Sequence, residues 1–231
     1  PVLLWARGDR SLLRRPGIAI VGARAATGYG EHVAMELSAA LSARDAVIVS
    51  GGAYGIDGMA HRAALASGGA TVAVLAGGID RLYPSGHEAL LTRIAEQGLL
   101  VSEAPCGSAP TKWRFLQRNR LIAALSAATI VVEAGRRSGA LSTAHHALQM
   151  SVPVGLVPGP ITSAASAGCR PVVGVPRRWP AVRRAAGTAS SFGMSRSNSV
   201  WLTTVTPSQT LGGIHPGMTD TIAGTLPRSE E

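Results

Sequence analysis

Six short runs of Val, Ile and Leu recur along the first 169 residues, and glycine or polar turn residues bound each of them. Runs that are apolar at nearly every position are typical of strands buried on both faces of a parallel sheet. The sequence therefore predicts six strands in this part of the chain. They are Gly17–Gly22, Ala46–Ser50, Thr71–Leu75, Leu99–Ser102, Ala128–Glu133 and Val152–Val157.

The segments between these runs carry apolar residues at the spacing of a helix face. In the first of them, Val33, Leu37 and Leu41 recur at every fourth position. Strands and helices that alternate at this pitch favour right-handed βαβ units. We therefore predict an α/β fold, a doubly wound and mostly parallel Rossmann-like sheet with helices on both faces. The other helices are marked by Met59, Ala63 and Ala66, by Leu90, Leu91 and Ile94, by Leu121, Ile122 and Leu125, and by Leu141 and Leu148.

The chain changes character after Cys169. Residues 170–200 contain six arginines and no acid, and residues 200–231 are rich in Thr, Pro, Gly and Ser. Six prolines interrupt residues 170–231, which show no sustained apolar periodicity. Such a composition is typical of segments that cannot build a core. We predict a Rossmann-like core over residues 1–169 and a largely unstructured basic tail over residues 170–231.

Charge and cysteine content narrow the functional classes. The chain has 22 Lys and Arg against 13 Asp and Glu, a net charge of +9 that favours an acidic partner, with nucleic acid first. Its two cysteines, Cys106 and Cys169, exclude a disulfide scaffold and suit a reducing cytoplasm. No apolar run reaches the roughly 20 residues of a membrane span. Since the chain begins with Pro1 and not with Met, we expect it to come from a longer reading frame.

Glycines concentrate where the predicted strands end, and this is where open parallel sheets bind ligands. They follow the first strand at Gly28 and Gly30, the second at Gly51 and Gly52, and the fifth at Gly139. Free amides at the start of a helix attract anions. The combination predicts a row of anion-binding loops, although each glycine alone is explained equally well by a tight turn.

Several enzyme classes do not fit these loops. Gly28-Tyr29-Gly30 is followed by Val33 where a dinucleotide-binding fingerprint has its third glycine, and the lone lysine, Lys112, does not belong to a P-loop. The motifs of zinc proteases and of serine hydrolases are absent from the sequence. Asp57 and His61 share a helix face but are too few for a metal site. We predict no catalytic residue, no metal and no cofactor.

The segment Pro105–Arg120 combines cations with aromatic rings and contains no acid. A groove for single-stranded nucleic acid needs cations for phosphates and flat apolar surfaces for unstacked bases. The segment therefore predicts such a groove. The alternative, in which Phe115 fills the core and the arginines are merely solvated, is equally open at this stage. The cations and rings are Lys112, Arg114, Arg118, Arg120, Trp113 and Phe115.

Seven motifs, in this order, resemble the DNA-processing protein A family, also called Smf, over residues 1–169. They are IVGAR (Ile20–Arg24), TGYG (Thr27–Gly30), SGGAYGIDGMAH (Ser50–His61), AVLAGGIDRLYP (Ala73–Pro84), SEAPCGSAPTKWRFLQRNRLIAALS (Ser102–Ser126), VVEAGRRSGALSTA (Val131–Ala144) and VPGPITSAASAGC (Val157–Cys169). The resemblance implies a cytoplasmic, non-catalytic protein of natural transformation. Such a protein binds and protects single-stranded DNA, loads the RecA recombinase onto it, and usually forms a dimer.

The resemblance also implies roles for particular residues. Arg24 and Lys112 match phosphate contacts of the family, and Phe115 matches its base-stacking residue. The backbone amides near Ser50–Gly52 and Ser138–Gly139 are expected to hold further phosphates. The complete set of expected DNA-binding residues is Arg24, Ser50, Gly51, Gly52, Lys112, Phe115, Arg118, Asn119, Arg120, Ser138 and Gly139.

The chain departs from the family pattern at both ends. Its first residues match the segment just before the first Rossmann strand, so we expect the family's N-terminal helical domain to be missing. After Cys169 the sequence changes abruptly, which suggests a frameshift. Because the family buries part of its dimer and RecA surfaces there, the change is expected to affect both.

Two alternatives stay open. Ser50–His61 and Val131–Ala144 also resemble the lysine-decarboxylase-like phosphoribohydrolases, which bind a nucleotide phosphate. That family requires P-G-G-x-G-T-x-x-E, whereas this chain reads RRSGALSTAHH and lacks the glutamate on the helix. The other alternative is a degraded, non-functional member of the DNA-processing family.

Overall fold

A computed structural model describes residues 1–170 and the backbone of Thr203–Val205. The rest of the predicted tail lies outside the described residues. The strands are β1 (Trp5–Gly8), β2 (Gly17–Val21), β3 (Val47–Ser50), β4 (Thr71–Leu75), β5 (Leu99–Ser102), β6 (Ala128–Val131), β7 (Val154–Leu156) and β8 (Thr203–Val205). The helices are α1 (Gly28–Ser42), α2 (Ile56–Ala66), α3 (Glu88–Gln97), α4 (Lys112–Ala124) and α5 (Ala140–Gln149), with 3₁₀ turns at Arg10–Arg14, Ser85–His87 and Ala164–Ser166.

These strands form one twisted sheet in the order β1-β5-β4-β3-β2-β6-β7-β8. The six inner strands are parallel and coincide with the six predicted runs, and five helices alternate with them. The prediction of a doubly wound, mostly parallel sheet is therefore confirmed. From β2 the chain adds β3, β4 and β5 on one side, and it then crosses back to add β6 and β7 on the other side. The strand order therefore reverses between β2 and β6.

Both edge strands are antiparallel to their neighbours and were not predicted. In β1, Trp5 pairs with Ser102 and Gly8 with Leu99 of β5. Strand β1 is mostly exposed and contains Arg7, so it lacks the apolar run that marks a strand buried on both faces. Strand β8 pairs with β7 and lies in the segment predicted to be largely unstructured.

The two faces of the sheet bury separate apolar clusters, as the alternation of side chains along a strand requires. On one face, Val21, Val49 and Val74 pack with residues of α4 and α5. On the other face, Ile20 and Ile48 pack with α1 and α2. Leu75 and Leu100 pack with α3 on that same side of the sheet. The near-continuous apolar runs in the sequence reflect this coverage on both sides.

A buried arginine fixes α4 against the carboxyl ends of the central strands. The Arg118 side chain is only 6% exposed, and its Nη1 donates to the carbonyls of Gly51, at 2.6 Å, and of Val74. The amide of Gly51 in turn donates to Asp57 Oδ2 at 3.2 Å. The Gly51 peptide thus links a buried cation to a buried carboxylate. We refer to Arg118, Gly51 and Asp57 together as the Arg118 bridge.

Asp57 and Arg118 each reduce the pKa shift that burial causes in the other. Burial raises the pKa of the Asp57 carboxyl, an effect that Arg118 and backbone donors partly offset. Burial lowers the pKa of Arg118 to about 10, and the Asp57 charge works against this decrease. Arg118 is therefore still cationic at neutral pH. Removing either partner leaves the other charge buried without compensation.

We predict that Arg118→Met lowers the free energy of unfolding by about 3–5 kcal/mol, since it leaves Asp57 as an unpaired buried charge. Urea unfolding measures the loss. Arg114→Met, one turn earlier on α4 and more exposed, is the matched control and should cost less than about 1 kcal/mol. In the double variant with Asp57→Asn, the two losses should not add. An Arg118→Met chain as stable as wild type would contradict the bridge.

A second buried polar residue, His61, lies on the opposite face of the sheet. Thr71 donates its hydroxyl proton to the carbonyl of Ile48 at 2.7 Å, so its oxygen accepts from His61 Nδ1, also at 2.7 Å. This assigns the neutral tautomer with the proton on Nδ1. Its Nε2 has no hydrogen-bond partner within the described part of the chain. Burial, together with the neighbouring His87, Arg118 and Arg62 charges, lowers the pKa of His61 to about 3.

The low pKa of His61 predicts an acid-dependent loss of stability. In the unfolded chain the imidazole has its ordinary pKa of about 6.5, so between pH 6.5 and 3 the unfolded state binds more protons. The His61 contribution therefore decreases as the pH falls through this window, by up to about 1.4 kcal/mol per pH unit. The variant His61→Asn keeps an N–H donor for Thr71 but does not titrate. Urea unfolding at several pH values from 4.5 to 7.5 measures the free energy of unfolding of both chains. We expect wild type to lose stability relative to the variant as the pH falls below about 6.5. A difference that stays constant with pH would contradict this prediction.

Candidate nucleic-acid interface

A cleft of about 280 Å³ lies where the strand order reverses. Its base is formed by Val21 and Gly22, at the carboxyl end of β2. Its walls come from α4, between Lys112 and Ile122, and from the first turn of α5, the two helices that precede and follow β6. We call this the switch-point cleft. Open α/β sheets bind their ligands at this position, so the fold itself directs attention here.

Three exposed cations surround the mouth of the switch-point cleft. They are Arg24, from the loop after β2, Lys112, from the first turn of α4, and Arg137, from the loop before α5. Among the residues that the structure describes, none of the three lies within ion-pair distance of an acid. Arg137 was not predicted, because nothing in the sequence distinguishes it from the other arginines.

Phe115 lines the same cleft as these three cations. The Cζ of Arg24 lies 4.8 Å from the centre of the Phe115 ring, in the geometry of a cation–π contact. The Tyr83 ring approaches from the loop after β4, with the two ring centres 5.9 Å apart. Phe115 is half-buried and lines the cleft, so it does not fill the core as the alternative interpretation required. Tyr83 is 49% exposed, and its position beside Phe115 was not predicted.

The structure also brings Asn119, Ser138 and Gly139 together. The Asn119 amide donates from Nδ2 to the carbonyl of Gly139 at 3.2 Å and thereby ties α4 to the start of α5. The hydroxyl of Ser138 accepts from the amide of Ala140 at 3.3 Å. A Cβ atom on Gly139 would meet no other atom within 4 Å, so this glycine leaves open space beside the first turn of α5.

Two of the expected phosphate contacts are engaged elsewhere. Arg118 lines the cleft, but its guanidinium group is buried and donates to strand carbonyls in the Arg118 bridge. Arg120 Nη2 contacts both carboxylate oxygens of Glu103, at 2.7 and 2.5 Å. Both side chains thus have partners within the protein, and their contact with DNA stays a prediction. Each has its partner on a distant segment, which is why the sequence did not show the pairing.

Several polar groups of the loop Ser50–Gly52, including the Gly51 amide, have partners within the protein. The Ser50 hydroxyl is buried and donates to the carbonyl of Ile20 at 2.6 Å. The Gly51 amide donates to Asp57, and the Gly52 carbonyl lies 3.1 Å from Nδ1 of His87. The carboxylate of Asp57 occupies the position where an anion was predicted.

At the start of α1, too, a carboxylate of the chain itself accepts hydrogen bonds from the loop. The amide and the hydroxyl of Thr27 donate to the two carboxylate oxygens of Glu133, both at 2.8 Å. A Cβ atom on Gly30 would lie 2.6 Å from Glu133 Oε2, so the glycine makes room for this buried side chain. At two of the predicted anion-binding loops, carboxylates of the chain itself therefore bind a backbone amide, and phosphate binding by these loops stays a prediction.

The described residues offer little for other chemistry. Within them, no group of three or more His, Cys, Asp and Glu side chains is arranged to hold a metal ion. Every helix in that part of the chain is too short or too polar to cross a membrane. Cys106 is exposed, whereas Cys169 is buried with its Sγ 3.8 Å from the Val131 carbonyl. Burial raises the pKa of the Cys169 thiol to about 12.

Comparison with known proteins places this geometry in a family. Residues 1–175 match the family model of DNA recombination-mediator protein A. A DprA protein of Mycobacterium tuberculosis is 59% identical over 171 residues, which cover 73% of this chain and 44% of the relative. The DNA processing protein DprA of Streptococcus pneumoniae is 40% identical over 173 residues, covering 75% of this chain and 61% of the relative. The chain thus spans about half the length of these curated relatives.

Two solved structures share the fold at substantial identity. The X-ray structure of DNA processing protein A from S. pneumoniae has a TM-score of 0.69 and 40% identity, over 72% of this chain and 58% of that one. A DNA processing protein A from Helicobacter pylori, studied for its single-stranded DNA binding mode, has a TM-score of 0.62 and 37% identity, over 65% of this chain and 69% of that one. The resemblance found in the sequence motifs is confirmed, and the chain belongs to the DNA recombination-mediator protein A family, also known as DprA or Smf.

Proposed function

We propose that this chain binds single-stranded DNA at the switch-point cleft without reacting with it. The observation that carries the proposal is the placement of Arg24 over the Phe115 ring, with Lys112 and Arg137 at the same mouth. Cations and a flat apolar ring side by side match the two parts of a nucleotide, the phosphate and the base. Single-stranded DNA binding by the H. pylori relative supports the assignment.

The preference for single strands follows from the ring. Phe115 can stack only with a base that is not already stacked and paired, and any base has a suitable face. The cations contact phosphates, which are the same in every sequence. Binding is therefore tolerant of sequence and falls with salt, because each neutralised phosphate releases counterions.

The wider role is proposed from the family. In the cytoplasm, the chain would receive and protect strands entering during natural transformation and pass them to RecA, with a second copy of itself as a partner. Membership of the family supports this role. Pull-down of RecA and light scattering of the chain with DNA test the two partnerships separately. Because the C-terminal sequence departs from the family pattern, each could fail while DNA binding persists.

The enzyme alternative is a phosphoribohydrolase. That enzyme family needs a glutamate on the helix after its glycine motif, and this chain lacks it. The nearby Glu133 accepts hydrogen bonds from Thr27, at the start of α1, with both carboxylate oxygens, so it already has a structural partner. Incubation with AMP tests this alternative directly, since release of adenine would require a catalytic site. The alternative of a degraded protein is tested by a gel shift with an oligonucleotide, in which it would give no complex.

We predict that Arg24→Ala and Lys112→Ala each weaken binding to every single-stranded sequence. Because each variant gives up about one phosphate contact, the slope of log K against log salt should flatten by about 0.7 in each. Fluorescence anisotropy of a labelled oligonucleotide between 50 and 300 mM salt measures both effects. Arg93→Ala removes an equally exposed charge on α3 and is the matched control.

The basic residues of the segment 170–200 are common to all these chains, so differences between variants report on the cleft. If Arg24→Ala and Lys112→Ala behaved like Arg93→Ala, the cleft would not be the phosphate site.

We predict that Phe115→Ala weakens binding by about 1–3 kcal/mol while leaving the salt slope unchanged, because it removes a stacking surface and no charge. Phe115→Trp should retain most of the affinity. Tyr29→Ala removes an exposed ring on α1, outside the cleft, and should have no effect. The same anisotropy titration serves for all three. A salt slope that changed with Phe115→Ala, or a full loss of affinity in Phe115→Trp, would argue against stacking.

A further inference from the structure

Helix α4 has a cleft on each side. The second cleft, of about 210 Å³, lies beyond the carboxyl ends of β4 and β5, where Ala76 and Glu103 contribute to its lining. Helix α4 supplies Arg114 and Gln117 to this cleft, whereas Phe115 faces the switch-point cleft. Arg118 lines both, so the two clefts are neighbours that share one buried side chain.

Trp113 lies in the first turn of α4, the helix that separates the two clefts. It is 66% exposed, although an indole is among the largest apolar surfaces that a side chain can offer. It precedes Gln117 by four residues, so the two share a face of α4. It also follows Lys112 directly, which places the ring next to a proposed phosphate contact. No packing role accounts for this exposed ring.

The second cleft contains polar groups that can hydrogen-bond a base. The Glu103 carboxylate is paired with Arg120, and Arg114 Nη1 donates to the carbonyl of Ala109 at 2.6 Å. The Gln117 amide is exposed and offers both a donor and an acceptor. Arg118 Nε is buried and has no partner in the part of the chain that the structure describes. The Gln117 amide and Arg118 Nε thus offer hydrogen bonds to a base that stacks on the nearby indole, and stacking is the sequence-tolerant part of such binding.

We propose that Trp113 and the second cleft bind a second base of the same DNA strand. The strand would cross the N-terminus of α4, with one base at Phe115, the next at Trp113, and a phosphate between them on Lys112. This inference rests on the proposed function, because it extends the path of a strand that begins in the switch-point cleft. Its occupant is the neighbouring nucleotide, since the two clefts adjoin on either side of the same helix turn.

Tryptophan emission gives a direct readout of this contact. Replacing Trp5, Trp179 and Trp201 by Phe leaves Trp113 as the sole tryptophan of the chain. This chain is titrated with thymidine oligonucleotides of one to twelve nucleotides, while anisotropy of a labelled oligonucleotide reports total binding. We expect the longer oligonucleotides to quench Trp113 with the same Kd that anisotropy gives. Thymidine monophosphate should leave the emission unchanged.

Substitutions in the otherwise wild-type chain test the energetic contribution. Trp113→Ala should weaken binding of the longer oligonucleotides about 5- to 150-fold, the effect of one stacked base. Trp113→Phe should recover most of this loss. Trp5→Ala, which removes a partly exposed indole from β1 at the edge of the sheet, should change nothing and is the matched control. Because Trp113 is exposed, the thermal midpoint of Trp113→Ala should equal that of wild type.

The outcomes separate the two proposals. If long oligonucleotides bind while Trp113 emission and the affinity of Trp113→Ala are both unchanged, the second base site is wrong and the proposed function stands. If no oligonucleotide binds, the proposed function is wrong and the second site with it. Quenching by thymidine monophosphate alone would also overturn the inference, because it would make Trp113 the primary site.

Discussion

The Arg118 bridge holds the interface together. Helix α4 carries Lys112, Trp113 and Phe115, and Arg118 on the same helix donates to the ends of β3 and β4 through the carbonyls of Gly51 and Val74. Phe115 precedes this anchor by three positions, less than one helical turn. A rigid attachment at this point keeps the cations and rings of α4 beside the sheet edge. The cost of burying the guanidinium is offset by Asp57, on the far side of the Gly51 peptide.

Internal carboxylates take part in two loops at the carboxyl edge of the sheet. Asp57 and Glu133 take the free amides that a mononucleotide phosphate would otherwise use. The remaining cations, Arg24, Lys112 and Arg137, are exposed at the mouth of the cleft and not in its floor. Such an arrangement favours a polymer that runs along the surface, because a strand can reach several exposed charges at once.

Much of the fold could be predicted because its signals are local. The inner strands are apolar on both faces, and the helices have a clear periodicity, whereas β1 is exposed and contains Arg7, so no local pattern marks it. Residue type was enough to single out Lys112 and Phe115, and the structure places both in the switch-point cleft. It was not enough where a distant partner decides. Arg120 pairs with Glu103, and Arg118 donates to the carbonyl of Gly51, 67 positions away, and neither contact has a signature in the sequence.

The contrast between the two thiols makes the chain suitable for site-selective labelling. Cys169 is shielded in the core, and its high pKa keeps it in the unreactive thiol form at neutral pH. Cys106 is exposed and precedes the first residue of α4 by six positions. A maleimide dye would therefore attach to one place, close to the residues proposed to hold the strand. The natural sequence thus provides a reporter position at the interface without any cysteine having to be removed or introduced.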